Sequence, residues 1–237
     1  MKARMHAMRL ALAALAAIVP PVRAVAQARP AEVRQLVTFL FLPGMADSAR
    51  GLYTRMLRPV YEADTAMRRF RAYQEAESPE PMDLMVVSSF DGMAGMDASN
   101  AALRGLSSGG RTTFQWYGAL SALSQYHRDE FVEMLSPAVD VEAPLLVVER
   151  IRVAPGAQRS WERAIAALPA GPVVSETGRV LVGNGWDYVR FHAIRRLADW
   201  QAYRARVTAG MAGARLARLE AARSVTILRR DDALSVR

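Results

Sequence analysis

Apolar and polar residues alternate most regularly in the stretch Gly185–Trp200, GWDYVRFHAIRRLADW. The alternation over Trp186–Ile194 predicts a half-buried strand, and the residues after it have the spacing of a helix. A weaker copy of this pattern lies at Pro81–Met96, PMDLMVVSSFDGMAGM, where Asp83 matches Asp187 at a constant offset. The repetition indicates a chain built from two similar α+β units.

The same order of elements is predicted in both halves. A Pro-Gly pair follows the first predicted strand of each half, at 43–44 and 155–156. The pattern predicts strands at 35–42, 70–76, 84–90, 145–153, 173–182, 186–194 and 225–230, and helices at 47–70 with a break at Pro59, 97–106, 111–135, 160–168 and 198–222. The fold class is therefore α+β, with two tandem ferredoxin-like (βαββαβ) units at 29–142 and 143–237 and an extra long helix at 111–135.

The first 28 residues have the three parts of a signal peptide. A basic start precedes the apolar run Leu10–Val19, and cleavage after Ala26 or Ala28 satisfies the preference for small residues. The apolar run is too short to cross a bilayer, which needs roughly 20 residues. The sequence therefore predicts a periplasmic or secreted protein with no membrane span after cleavage.

Charge and cysteine content exclude several functions. The formal net charge is +8, and removal of Lys2, Arg4, Arg9 and Arg23 with the leader lowers it to +4. The remaining charges are scattered, which argues against a nucleic-acid partner. Cysteine is absent, so disulfides and thiol catalysis are excluded.

Candidate chemistry is concentrated on one face of the strand at 186–194. Tyr188, Arg190 and His192 share this face, which we expect to lie opposite the helices, with Glu149 on a neighbouring strand. One interpretation is a site for an anion or small molecule, with His192 as an acid, base or metal ligand. The alternative is a polar contact surface in which Arg190 pairs with Glu149 or Glu176.

The first half offers less chemistry at the equivalent positions. Leu84, Val86 and Ser88 stand there, so the second half is the better candidate for a site. His127 falls on the apolar side of the predicted long helix and is interpreted as a packing residue. Since His127 and His192 are the histidines left after the leader and cysteine is absent, we predict no metal site.

The order of elements resembles that of the dimeric α/β-barrel superfamily. The resemblance rests on a strand ending in Pro-Gly, a helix, a hairpin, the strand GWDYVRFHAI and a helix containing Trp200. That superfamily includes antibiotic-biosynthesis-monooxygenase-like and NIPSNAP-type domains. The resemblance implies association of sheets between chains or fused repeats, and activities that range from cofactor-independent oxygenation and haem breakdown to none known.

Three functions remain open from the sequence, one of them an interaction protein that binds its partner through the predicted helix at 111–135. The leading hypothesis is an exported binding or structural protein without a cofactor, because no catalytic motif accompanies the repeat. The alternative is a small-molecule or haem-binding enzyme that uses Tyr188, Arg190 and His192. The expected partner is a small organic ligand, and the sheet surfaces are compatible with a homodimer.

Overall fold

The structure is a computed structural model that describes residues 31–136, 142–168, 171, 173–183 and 185–236. The predicted signal peptide and the short strand suggested near 139–141 lie outside these residues. The strands are β1 (Val33–Phe41), β2 (Met67–Glu77), β3 (Leu84–Phe90), β4 (Ser107–Ser108), β5 (Arg111–Thr112), β6 (Ser124–Met134), β7 (Leu145–Val153), β8 (Val174–Val182), β9 (Tyr188–Ile194) and β10 (Glu220–Arg230). The helices are α1 (Ala46–Leu52), α2 (Arg58–Ala63), α3 (Gly92–Gly105), α4 (Thr113–Ser121), α5 (Gln158–Ala166), α6 (Leu197–Ala209) and α7 (Met211–Leu219), and a π-helical segment, Tyr53–Leu57, joins α1 to α2.

Eight of these strands close into one antiparallel barrel. The earlier four are neighbours in the order β6-β1-β3-β2, and the later four follow the matching order β10-β7-β9-β8. The pairs β2–β10 and β6–β8 join the two sets. The sheet surfaces that we expected to meet between chains or repeats are therefore closed within this chain. The origin of the two sets by duplication stays a prediction.

The predicted long helix at 111–135 is wrong. Helix α4 begins after a capping box in which Gln115 N–H donates to the Thr112 hydroxyl, and it ends at Ser121. The chain then extends as β6, which lies between β1 and β8. Glu130, Val132 and Met134 alternate into the barrel and are buried. The apolar residues of this segment fit both a helical and a strand period, and barrel closure decides in favour of the strand.

The helix expected between Glu62 and Phe70 is also shorter than predicted. Helix α2 ends at Ala63, and β2 begins at Met67. The break expected at Pro59 appears as the π-helical segment, which ends directly before the first turn of α2, where a proline is tolerated. No helix in the described ranges is long and apolar enough to cross a membrane.

The predicted orientation of β9 is wrong as well. Val189 and Phe191 point into the barrel, and the polar set on the opposite face points towards the helices. The barrel interior is filled by Leu36, Met82, Met85, Val87, Val132, Met134, Leu146, Val148, Val189, Phe191 and Leu228. An eight-stranded barrel is just wide enough for side chains to fill. Both faces of β9 are consequently buried, so its alternation does not reveal which face the helices cover.

Buried ion pairs lie among the side chains that point into the barrel. Arg150 Nη2 is 2.6 Å from Glu130 Oε2, and Arg34 Nη1 is 2.8 Å from Glu176 Oε2. All four residues are buried. Pairing satisfies charges whose burial would otherwise be costly.

Candidate functional site

A cleft of about 650 Å³ lies between the later half of the sheet and helices α5 and α6. Sites for small molecules usually have volumes in this range and mix apolar walls with a few polar groups. The lining residues are Leu135, Ser136, Trp161, Glu162, Ile165, Ala166, Leu168, Gly171, Val173, Ser175, Thr177, Arg190 and Tyr203.

An ion cluster is buried in the sheet beside this cleft. Glu149 Oε2 accepts hydrogen bonds from Arg190 Nη1 at 3.3 Å and His192 Nε2 at 2.9 Å. Arg223 Nη1 donates to the other oxygen of Glu149 at 2.9 Å. Glu149 and Arg190 are directly opposite each other on β7 and β9, which explains the short contact. The pairing of Arg190 with Glu149 is one of the two predicted, whereas Glu176 pairs with Arg34 in the barrel.

Ser175 connects the ion cluster to the cleft. It lies opposite His192 in the β8–β9 pairing, and its Oγ is 2.7 Å from His192 Nδ1. Ser175 is half-buried and lines the cleft, whereas His192 is fully buried. A continuous chain of hydrogen bonds therefore runs from the cleft through Ser175 and His192 to Glu149. Sequence analysis missed Ser175, although Gly183 and Gly185, between the strands predicted at 173–182 and 186–194, are typical of a hairpin that pairs these strands.

Burial and the charges of this cluster determine the protonation states of Glu149 and His192. Burial alone would raise the pKa of Glu149, but the His192 hydrogen bond and the charges of Arg190 and Arg223 lower that pKa to about 2. Burial lowers the pKa of His192 to about 4, although the hydrogen bond to Glu149 opposes this shift. At neutral pH we therefore assign an ionised Glu149 and a neutral His192 whose Nε2–H donates to the carboxylate. Nδ1 is then an acceptor for the Ser175 hydroxyl.

Arg190 has one donor that lacks a partner. Its Nη2 donates to the Tyr203 hydroxyl at 2.8 Å, and its Nη1 faces Glu149. Its Nε is buried without a hydrogen-bond acceptor in the part of the chain that the structure describes. A buried donor without an acceptor costs about 1–3 kcal/mol. Arg190 also lines the cleft, so its positive charge lies beside any molecule bound there.

Tyr188 lies apart from the other predicted site residues. Its ring stacks on Trp161 at 4.2 Å, and its hydroxyl donates to Glu162 Oε1 at 2.8 Å. Burial and the Glu162 carboxylate raise the pKa of Tyr188 to about 12. The structure thus brings Glu149, Arg190 and His192 together, and places Tyr188 beneath α5, where it positions a side chain of the cleft wall.

The histidines do not fit the axial ligand of a haem in this cleft. Both ring nitrogens of His192 are held, and Trp200 and Tyr203 cover the ring at centroid distances of 4.8 and 5.3 Å. His127 lies on β6 in the other half, beside Phe39, and its side chain is about half exposed. Its predicted place on a buried helix face is therefore wrong. Among the described residues, no group of three or more His, Asp or Glu side chains could hold a metal ion.

Comparison with known proteins gives structural matches without sequence matches. No family model matches the chain, and no curated protein matches it. A monooxygenase-like protein of Fusobacterium nucleatum superposes with a TM-score of 0.63 at 7% identity, over 86% of this chain and 94% of its own. A mutant chlorite dismutase of Candidatus Nitrospira defluvii gives 0.58 at 13% identity, over 87% and 93%. A haem-binding protein of Thermus thermophilus gives 0.53 at 12% identity, over 86% and 92%. At these identities the likeness concerns the fold, and the chain has the ferredoxin-like dimeric α/β-barrel fold of these proteins.

Proposed function

We propose that the second-half cleft binds a small organic molecule with an ionisable hydroxyl group and removes its proton. The observation that carries this proposal is the hydrogen-bond chain Ser175–His192–Glu149, which begins at the cleft and ends at a buried carboxylate. Ser175 is within reach of a bound molecule, and His192 lies behind it as a base that Glu149 orients, so a proton can be relayed from the cleft to His192. The enzyme hypothesis is therefore preferred here to that of a structural protein.

Each residue has a defined part in the proposed reaction. The apolar body of the ligand packs on Trp161 and the neighbouring α5 residues, and its hydroxyl group reaches Ser175. The ligand proton passes to Ser175 Oγ as the Ser175 proton passes to His192 Nδ1. The products are a ligand oxyanion and a transient imidazolium next to the Glu149 carboxylate. Because the pKa of His192 is about 4, the imidazolium then releases its proton to water and the ring returns to its neutral form. Arg190 is the basic residue among those described as lining the cleft, and its positive charge favours the new oxyanion.

The structural neighbours support the same broad class. Their names describe monooxygenase-like, chlorite dismutase and haem-binding proteins. We propose by analogy that this chain also acts on or binds a small molecule. A haem would supply oxygen and electron-transfer chemistry if bound. Because His192 does not fit as its ligand, no step of the proposal uses haem.

The proposal is tested with 4-nitrophenol, a weakly acidic phenol whose ionised form absorbs visible light. We expect the wild type to lower the apparent pKa of the bound phenol by about one unit, because Arg190 favours the anion. Arg190→Gln removes that charge and should abolish the shift. A spectrophotometric pH titration at saturating protein measures it.

Two further variants complete this experiment. Arg204→Gln removes a charge from an exposed position of the same helix as Tyr203 and should leave the shift unchanged. Ser175→Ala should retain binding of the phenol but slow proton transfer, as seen in the relaxation rate after a pH jump. Equal shifts in the wild type and Arg190→Gln would contradict the proposal.

We further propose export of the protein after cleavage of its leader behind Ala26 or Ala28, and descent of its two halves from one ancestral unit. The tripartite leader and the matching strand orders support these proposals. Mass spectrometry of the protein from a periplasmic extract tests the first. A mature chain that begins at Gln27 or Arg29 is expected, whereas an intact leader in that extract would contradict it.

A further inference from the structure

A second cavity, of about 240 Å³, lies in the first half between the outer face of the sheet and helices α3 and α4. Six aromatic side chains contribute to its walls, together with aliphatic and polar ones. The rings that line it are Phe39, Tyr53, Tyr61, Phe70, Phe90 and Tyr117. Tyr61 and Phe70 stack at a centroid distance of 4.3 Å, so part of the wall is a preformed flat surface.

The cavity exists because the first half lacks the ion cluster of the second. Val37 pairs with Val86 across β1 and β3, as Glu149 pairs with Arg190 across β7 and β9. Ser88 then occupies the place of His192. Valine and serine side chains are shorter than those they replace, and the space above them is left to the cavity. The two halves therefore present different chemistry on equivalent surfaces.

One end of the cavity is polar. Gln35 Nε2 donates to Asp129 Oδ1 at 2.7 Å, and the Tyr61 hydroxyl donates to that of Tyr117 at 3.0 Å. The side chains of His127 and Asp129 are 49% and 36% exposed, so this end opens to solvent. A carboxylate accepts up to about four hydrogen bonds, which leaves Asp129 able to accept from a ligand. Arginine and lysine are absent from the described lining and Asp129 is part of it, which favours an uncharged ligand over an anion.

We propose that this cavity binds an uncharged, flat aromatic molecule that carries a hydroxyl donor. The ring packs between Tyr61 and the opposite aromatic wall, and the hydroxyl donates to Asp129. An engineered apolar cavity of about 150 Å³ binds benzene, so a cavity of this size suits two fused rings. This site is independent of the function proposed for the second-half cleft, because the two share no lining residue.

The test is titration calorimetry with 2-naphthol and, as a probe that cannot donate, 2-methoxynaphthalene. Because the second-half cleft is also expected to accept a phenol, the first-half site is defined as the 2-naphthol binding that Ser88→Leu weakens, and we expect it to be about tenfold tighter for 2-naphthol than for its methyl ether. Ser88→Leu fills the cavity from the sheet and should reduce 2-naphthol binding by about tenfold or more. Ser175→Ala alters the other cleft and should leave binding unchanged.

Asp129→Asn provides a second variant at a partly exposed position that tolerates change. A neutral amide is the weaker acceptor, so 2-naphthol should bind several-fold more weakly, whereas 2-methoxynaphthalene should bind as before. Asp97→Asn on the exposed face of α3 is the matched control and should change neither. Failure of the wild type to bind 2-naphthol would overturn the proposal. Equal affinity of Asp129→Asn and the wild type for 2-naphthol would also overturn it, and this result does not depend on whether Ser88→Leu folds. Neither result bears on the phenol titration of Arg190→Gln.

Discussion

At the residue scale, His192 shows how burial couples one proton to the stability of the second half. Its ring accepts from Ser175, donates to Glu149 and packs against Trp200. Protonation of Nδ1 would break the hydrogen bond that the ring accepts from Ser175, and it would place a second positive charge close to Arg190. The folded protein therefore holds His192 neutral far more strongly than the unfolded chain does.

This coupling predicts a loss of stability in mild acid. The pKa of His192 is about 4 in the folded protein against 6.5 ordinarily, so the unfolded state binds the proton first as pH falls. Above pH 6.5, the neutral state of His192 contributes about 3 kcal/mol to the free energy of unfolding. This contribution is lost as the pH falls from 6.5 to 4. Urea denaturation across this pH range measures it.

Two histidine variants separate this effect from general acid sensitivity. His192→Gln should flatten the slope between pH 6.5 and 4, whereas His127→Gln, at a half-exposed position, should keep it. A further fall from about pH 4.5 to 2 is expected in the wild type and His127→Gln, because the pKa of Glu149 is lowered from 4.5 to about 2, and a smaller fall is expected in His192→Gln, which loses the His192 hydrogen bond to Glu149. An unchanged slope in His192→Gln would show that another group is responsible.

Part of the candidate site could be predicted from single residues. Alternation along β9 grouped Arg190 with His192 and suggested the pairing with Glu149. Ser175 and Tyr203 were missed because their contacts depend on hairpin register and on where α6 packs, which are properties of the tertiary structure. The face of β9 that packs against the helices was misassigned because both faces of this strand are buried.

At the scale of elements, the junction of β6 and β8 depends on the absence of a side chain at Gly178. A Cβ atom there would lie 2.3 Å from Val132 Cγ1 and 3.0 Å from the carbonyl oxygen of Glu133. Both partners belong to β6, so the strands approach closely where the barrel closes. This strand pair joins the two halves.

Gly178→Ala should therefore destabilise the protein by about 1–3 kcal/mol, because the added methyl overpacks this junction. Gly118→Ala on α4 is the matched control. A Cβ there meets no atom within 4 Å, and alanine favours the helix by up to about 1 kcal/mol. Thermal denaturation should show opposite shifts of the two midpoints. A Gly178→Ala midpoint at or above that of the wild type would contradict this account of the junction.

Elements with a strong local pattern were the predictable ones. The strands at 84–90 and 145–153 have the bounds that the sequence indicated, since apolar residues predominate in them and turn residues flank them. The segment 124–134 was misread because its charged and apolar residues suit an amphipathic helix. Its strand conformation is determined by partners distant in sequence.

At the scale of the whole molecule, charges buried in the barrel restrict how the two halves fit together. Glu130 comes from the first half and Arg150 from the second, and neither side chain is more than 5% exposed. Their pairing allows both charges to be buried, whereas a different register of the halves would leave one unpaired. We expect this ion pair mainly to specify the register in which the two halves pair, and to contribute less to the stability of the protein.

Removal of one partner should reveal this role. Glu130→Met should destabilise the protein by about 3–5 kcal/mol, because it leaves the Arg150 charge buried and unpaired. Glu130→Met combined with Arg150→Met should recover most of that loss. Chemical denaturation of the single and double variants measures the coupling. A double variant as unstable as the single one would show that packing, and not the unpaired charge, is the cause.

The closure of eight strands within one chain has a consequence for the isolated halves. Each set of four strands, taken alone, would have two unpaired edges and an uncovered apolar surface on its inner side. Fragments corresponding to the halves should accordingly complement each other when mixed, or pair with a second copy of themselves. The barrel, which is one folded unit in this chain, would then be a complex of two fragments. Its stability would depend on the concentration of the fragments.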